Sequence, residues 1–212
     1  MELFFSPLAC SMASRIAFYE AGAEPRFNQV DPKRKRAADD VDFYTVNPMG
    51  QVPTLRLDDG VVLTENAVVL QYIADRFPAA GLVPPAGSIE RYRVQEWLNF
   101  IGTELHKAIF IPLLDPHAPA GAREFARTKV ERSFGRLNAA LEGRETLMDG
   151  FTIADAYLVT VLNWGAYSGV DLAQWPHVQA FYQRTIKRPA VARALAEEFR
   201  LYKEEVARHA AA

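Results

Sequence analysis

The stretch Asn47-Pro48-Met49-Gly50-Gln51-Val52-Pro53-Thr54-Leu55-Arg56-Leu57-Asp58-Asp59-Gly60-Val61-Val62-Leu63-Thr64-Glu65-Asn66 decides the fold. Asn47 precedes a proline, whose ring disfavours helical angles at the residue before it, so a short helix expected over residues 37–45 must end here. Residues 52–57 and 61–63 read as strands on either side of Asp58-Asp59-Gly60, and Asp-Gly supplies the positive φ angles of a tight hairpin. Pro53 opens a strand that otherwise looks central. It has no N–H to give a ladder, so it belongs at a first position or an edge. Thr64-Glu65-Asn66 then leads into a helix over residues 66–77, with Val69, Tyr72 and Ile73 inward and Asp75 and Arg76 outward.

Working outward towards the N-terminus, residues 2–5 read as a strand, broken by Ser6-Pro7-Leu8-Ala9. A helix follows over residues 12–22, with Ala13, Ile16 and Tyr19 on one face and Gly22 as its stop. Residues 26–30 form a further strand. The expected order over residues 1–77 is therefore β-α-β-α-β-β-α, a small mixed α/β sheet domain. Pro78-Ala79-Ala80-Gly81 and Pro84-Pro85-Ala86-Gly87 mark residues 78–88 as a linker. Beyond it no strand pattern appears. Helices are expected over residues 89–114, 122–142, 152–167, 177–187 and 190–208, so residues 89–212 form an all-α domain, with a frayed tail at 208–212.

Composition sets the boundaries of function. The chain has 212 residues, half of them hydrophobic, and a formal net charge of −2, which offers no electrostatic footprint for nucleic acid or an anionic membrane. No apolar run approaches the roughly 18 residues of a membrane span. Met1 leads directly into Leu3-Phe4-Phe5 without a basic n-region, so no secretory leader is expected. The single cysteine, Cys10, excludes an intrachain disulfide and suits a reducing cytoplasm. No metal site is expected.

Cys10 stands immediately before the first helix. Unpaired N–H groups and the helix macrodipole favour a thiolate there, its own or one brought by a ligand. Ser11 is placed to cap the helix or to give a hydroxyl to a bound sulfur. Position alone leaves a second reading open, a buried structural cysteine beside an ordinary cap. Ala13 occupies the second position of a would-be C-x-x-C pair, which removes dithiol cycling. Glu65 and Asn66 likewise read either as a helix cap or, with the helix N-terminal amides, as a grip on an amino acid's carboxylate and amine. On the first helix of the second half, at about 100° per residue, Thr103 lies at about 40° and His106 at about −20° from Asn99, opposite Leu98, Ile101, Leu105 and Ile109. That polar stripe is either a solvated face or one wall of a site, with His106 as proton donor or hydrogen-bonding group and Lys107 at its edge.

Taken together these residues resemble the soluble glutathione S-transferases, and most of all their bacterial beta class. The matching segments are Ser6-Pro7-Leu8-Ala9-Cys10-Ser11, Asn47 to Leu55 as quoted above, Leu63-Thr64-Glu65-Asn66-Ala67, Glu96-Trp97-Leu98-Asn99-Phe100, Leu105-His106-Lys107 and Phe151-Thr152-Ile153-Ala154-Asp155-Ala156-Tyr157. They follow family order along nearly the whole chain. The resemblance implies a thioredoxin-like domain, an all-helical domain and a homodimer, with Pro53 cis, although sequence statistics alone favour trans. It implies glutathione as co-substrate between the domains and a small hydrophobic electrophile as its partner. By position, Cys10 would touch the glutathione sulfur, with a mixed disulfide within its reach, and Ser11 competes with it for that role. Val52, led by Gln51 and fixed by Pro53, would pair with the cysteinyl backbone. Glu65 and Asn66 would hold the γ-glutamyl end, and Lys35 the glycine carboxylate. Asn99, Thr103, His106 and Lys107 would line the cleft, and Phe110 and Trp164 would wall the electrophile pocket. Thr152 and Asp155 match a buried capping box that serves folding. Asn66 replaces a serine found in many members, and Phe5 stands where some classes carry an activating tyrosine. The implied activity is thiol activation for attack on electrophiles. The alternatives are thiol–disulfide or peroxide chemistry through Cys10, and binding without turnover.

Overall fold

The computed structural model describes residues 1–210. The chain divides into two compact units: Met1–Leu82 together with the segment from Arg188 onward, and Val83–Lys187. The first unit holds strands β1 (Glu2–Phe5), β2 (Arg26–Asp31), β3 (Arg36–Ala37), β4 (Thr54–Arg56) and β5 (Val62–Leu63). They lie in the order β3-β2-β1-β4-β5. Helix α1 (Met12–Glu20) links β1 to its parallel neighbour β2, and β4 runs antiparallel to β1 with Phe4 opposite Thr54. All four residues of β1 are buried, as a central strand covered on both faces requires. Helix α2 (Asn66–Arg76) buries Val69, Leu70 and Ile73, two of the three positions expected to face inward. Among the described residues no helix is long and apolar enough to cross a membrane.

Two expectations for this unit change. The helix expected over residues 37–45 is instead strand β3 and a short 3-10 turn, Phe43–Thr45. Local polar bonds outcompete the helix. Asp42 accepts from the Tyr44 amide at 3.0 Å, Asp40 adopts a left-handed φ of 61°, and the Ala37 amide turns back to the Val41 carbonyl. Only Phe43 of the turn is buried, against Phe4, Val30 and Ala37. The expected division of the chain changes at its C-terminal end, while the first helix of the second unit begins at Ile89 as expected. The last helix, α9 (Pro189–Ala210), belongs to the first unit and packs on α1. The buried Arg15 guanidinium draws it there. It lies between the Phe5 and Phe27 rings, 4.2 and 4.0 Å from their centroids, and bonds Glu198 at 2.9 Å and Glu197 at 3.1 Å. Residues 208–210 are helical, and 211–212 lie outside the described residues.

The second unit is all helical. Helix α3 (Ile89–Phe100) continues through a π-helical segment, Ile101–Phe110, into α4 (Ile111–Leu114). Helices α5 (Ala120–Ala140), α6 (Ile153–Leu162), α7 (Gly165–Ser168) and α8 (Pro176–Thr185) complete it. The helix expected over residues 152–167 breaks at Asn163 and Trp164 into α6 and α7. Helix α6 is buried along its whole length, so it is the core of the unit. Thr152 and Asp155 form the expected capping box at its start: Asp155 accepts from the Thr152 amide at 2.8 Å, and the Thr152 hydroxyl accepts from the Ala154 amide at 3.2 Å. Asp155 also accepts from the Leu147 amide at 2.8 Å, and its burial pushes the carboxyl pKa up.

Candidate functional site

In the first unit Cys10 lies half-buried in the turn before α1. Its Sγ bonds the Val52 carbonyl at 3.2 Å, which brings the thiol to the Val52-Pro53 turn just before β4; the strand expected over residues 52–57 is confined to Thr54–Arg56. The Val52-Pro53 bond is cis, as the resemblance implied. Ser11 takes the helix N-cap position without capping the helix. Its hydroxyl is fully buried, donating to the Ser6 carbonyl and accepting from the Ser6 amide, both at 3.2 Å. The Ser11 oxygen is thereby spent on closing its own turn, while the Cys10 sulfur reaches towards Val52.

The loop that presents Val52 is built by Asn47. Its Nδ2 donates to the Gln51 carbonyl at 2.8 Å and to Thr54 Oγ1 at 3.0 Å, and its Oδ1 accepts from the Met49 amide at 3.0 Å. Gly50 is required in this turn: its φ is +58°, and a Cβ would stand 2.7 Å from Tyr44 Cε1. Lys35, half-buried with a left-handed φ of 53°, donates from Nζ to the Gly50 carbonyl at 3.0 Å. Gln51 is exposed.

Glu65 is the exposed residue at the head of α2 and holds φ 68° and ψ 121°, a strained backbone for a non-glycine residue. Asn66 is 7% exposed. Its Oδ1 accepts from Ser14 of α1 at 3.3 Å, and its Nδ2 is buried with no partner. A buried amide donor left unpaired costs about 1–3 kcal/mol unless something takes its hydrogen bond. This unit therefore brings a thiol to the half-buried Val52 carbonyl just before β4, holds an unused amide donor at the head of α2 against α1, and sets the Lys35 ammonium on the Gly50 carbonyl of the loop that leads to Val52. Those are the groups that grip an extended, carboxylate-bearing peptide with a sulfur of its own. Among the described residues no cluster of three or more His, Cys, Asp or Glu side chains is placed to hold a metal.

The second unit divides the expected polar stripe. Asn99 and Thr103 are exposed, and their side chains bond back to the Gln95 and Asn99 carbonyls at 2.9 and 3.0 Å. His106 is not on their face: it is 5% exposed and accompanies Leu105 into the core. The cause is the π-helical segment. The sequence reading took about 100° per residue, whereas i→i+5 bonding widens the turn. The buried pairs Phe100–Ile101, Leu105–His106 and Ile109–Phe110 accordingly recur every four or five residues. Lys107 is exposed. Burial, with the Lys107 charge adding to it, lowers the His106 pKa to about 4, so the ring is neutral at physiological pH and acts as a hydrogen-bonding group rather than a cation. Its Nδ1 lies 2.7 Å from the Tyr157 hydroxyl. The Trp164 ring packs 5.0 Å from the imidazole and 5.7 Å from Phe110, which is fully buried against Phe134.

Several residues of this architecture were invisible in the sequence. The sequence reading gave no role to Tyr157, Ser14 or Glu198. Asn47 read only as a helix stop. A polar residue directly before Pro48 in a turn that needs Gly50 was the available signal for it.

Fold and site define a two-unit protein: a thioredoxin-like sheet with a thiol at the start of its first helix, and a separate helical unit. Comparison with known proteins names the family. The model of the glutathione S-transferase N-terminal domain matches residues 9–76, and that of the C-terminal domain residues 101–189. Glutathione S-transferase GstA of Escherichia coli O157:H7 is 44% identical over 199 residues, covering 93% of this chain and 98% of the relative. Glutathione S-transferase GST-4.5 of Xanthomonas campestris is 34% identical, covering 93% and 98%. Among solved structures, BphK, a bacterial glutathione S-transferase in a ternary complex, superimposes with a TM-score of 0.91 at 44% identity, covering 93% of this chain and 99% of that one. A sphingomonad glutathione S-transferase complexed with glutathione gives 0.89 at 44% identity, covering 93% and 98%. The beta class enzyme of Sphingomonas chungbukensis gives 0.89 at 43%, with the same coverage. The chain belongs to the glutathione S-transferase family.

Proposed function

We propose that this protein is a glutathione transferase that binds the tripeptide through its first unit and activates its thiol for attack on a hydrophobic electrophile. The contact between Cys10 Sγ and the Val52 carbonyl at 3.2 Å carries the reading. It sets a thiol beside the Val52-Pro53 turn where the cysteinyl backbone of glutathione pairs. Around it, Gln51, Val52 and Pro53 hold the cysteinyl residue, and Lys35 takes the glycine carboxylate. Asn66 gives its unused Nδ2 to the γ-glutamyl end with Glu65 beside it. The helix N-terminus and its amides favour the thiolate over the thiol. From the helical unit His106 serves the ligand and Trp164, backed by Phe110, the electrophile, whereas Asn99 and Thr103 stand on a different face from His106 and are not assigned to the same contact. The Ser11 O–H, already donated to the Ser6 carbonyl, supports Cys10 as the residue that meets the glutathione sulfur, with Ser11 shaping the turn. The protein contributes positioning and electrostatics to a nucleophile that the co-substrate supplies.

Exposed apolar side chains support a homodimer, namely Val61, Val62 and Val68 in the first unit and Ile89 and Tyr92 in the second. A detoxifying role in the cytoplasm fits the family and the single thiol. Half-buried Cys10 favours a second activity. Its thiolate displaces a thiol from a disulfide of glutathione, and a second glutathione releases the protein from the resulting mixed disulfide. Cys10→Ala separates the two. Conjugation retained with disulfide reduction lost assigns Cys10 to redox work, and loss of both with glutathione binding intact makes it part of thiol activation. Retention of both at wild-type rates contradicts any role for Cys10.

A further inference from the structure

We propose that Tyr157 is a positioning residue for the reaction: its buried hydroxyl fixes the tautomer of His106, keeping the imidazole proton on Nε2 as a donor to the sulfur of glutathione. The inference rests on the reading above that His106 serves the bound thiol.

The geometry is confined to the helical unit. Tyr157 Oη and His106 Nδ1 are 2.7 Å apart, and both side chains are buried. A neutral imidazole carries one proton, on one of two nitrogens, and the hydrogen bond made by the other nitrogen decides which. A phenol, with a pKa of about 10, is a far stronger acid than a neutral imidazole N–H, and imine nitrogen is the better acceptor. The hydroxyl therefore donates and Nδ1 accepts. Burial keeps the ring neutral, so its single proton falls on Nε2. The ring is also held in plane. Trp164 packs against it at 5.0 Å and 59°, and the Tyr157 ring meets it nearly edge-on at 6.0 Å and 85°. The π-helical register of residues 101–110 is what turns His106 onto the side of the helix facing α6, where Tyr157 stands. Nε2 forms none of the hydrogen bonds found within the unit, which leaves its N–H for an acceptor brought by a ligand. A thiolate sulfur is such an acceptor.

The test uses the full chain with nitrogen-15-labelled histidine. Long-range proton–nitrogen spectra at neutral pH distinguish protonated from bare ring nitrogens, and His106→Gln identifies the His106 signals among those of the four histidines. The wild type is expected to show a bare Nδ1 and a protonated Nε2 at His106. Tyr157→Phe keeps the ring and removes the hydroxyl, and is expected to give averaged shifts from a mixture of tautomers. Its turnover in conjugation should fall roughly tenfold, with KM for glutathione little changed and no further loss when combined with His106→Gln. A protonated Nδ1 in the wild type, a spectrum that needs no folded variant, overturns the tautomer assignment. So does an unchanged tautomer in Tyr157→Phe. Full turnover in His106→Gln instead overturns the reading of His106 as a group that serves the thiol, and leaves the spectroscopic result standing by itself.

Discussion

Replacing Glu198 by alanine should destabilise the protein more than any other change to a residue remote from the ligand. Its carboxylate is fully buried and accepts twice, from Arg15 Nε at 2.9 Å and from the Leu8 amide at 2.7 Å. Leu8 itself holds a left-handed φ of 59°, two residues before Cys10. Without Glu198 the Arg15 cation, only 4% exposed and already carrying one unpartnered Nη2, keeps Glu197 and the Tyr19 hydroxyl alone. Breaking a buried pair from one side costs about 3–5 kcal/mol. The surviving Glu197 contact puts the expected loss at the lower end, about 3 kcal/mol, or roughly 6–12 °C in Tm for a chain of this size. Burial raises the Glu198 pKa from 4.5 to about 7 against the pull of Arg15 and the Leu8 amide. The folded state therefore holds its proton more tightly than the unfolded chain, and wild-type stability falls as pH rises between those values. Glu198→Gln, which has no proton to release, should lack that part of the slope. Thermal unfolding for the Tm and urea unfolding for the pH slope, both monitored by tryptophan fluorescence, measure the two effects, with the alanine variant compared on the alkaline side of the transition. The KM for glutathione should rise too, because the anchor of the Cys10 turn is gone. A Tm within 2 °C of wild type, or an identical pH slope in Glu198→Gln, would falsify the argument.

Other changes follow the same reasoning. Asn66→Ala removes a donor that is unpaired in the protein, so the glutathione KM should rise about tenfold, some 1.4 kcal/mol, while Tm stays within about 2 °C; a large drop in Tm would instead make Asn66 a core residue. Gly50→Ala meets both a positive φ and the Tyr44 ring, and should cost about 1–3 kcal/mol and weaken glutathione binding measured by titration calorimetry. An unperturbed affinity would disconnect this turn from the ligand. Asp155→Ala leaves the Thr152 and Leu147 amides without their acceptor and should cost about 2–4 kcal/mol in chemical unfolding, leaving KM unchanged in the folded fraction; a loss below about 0.5 kcal/mol would show the box to be ornamental.

The legible part of this molecule was the part written in local chemistry. Asp58-Asp59-Gly60 announced its hairpin, Pro53 its special place in the sheet, and Thr152 with Asp155 their helix cap, because each signal is complete within a few residues. The segment after β2 misled, since Asp40 and Asp42 use side-chain bonds and a left-handed angle that periodicity does not register. The stripe 99–106 misled for a deeper reason. Residue spacing becomes a face only after a pitch is assumed, and the π-helical turn changed the pitch. The place of α9 was hidden because its partner, Arg15, lies 183 positions from Glu198, and a charge that is buried in the fold looks like a solvated one in the sequence. The Tyr157–His106 pair, 51 positions apart, was hidden in the same way.

The central claim is that the protein binds glutathione and lowers the pKa of its thiol. Ultraviolet difference absorbance of the bound thiolate, followed across pH with no electrophile present, reads that directly. The account predicts a titration displaced at least one unit below that of the free tripeptide. A bound thiol that titrates together with free glutathione, or no saturable thiolate signal at all, would contradict it.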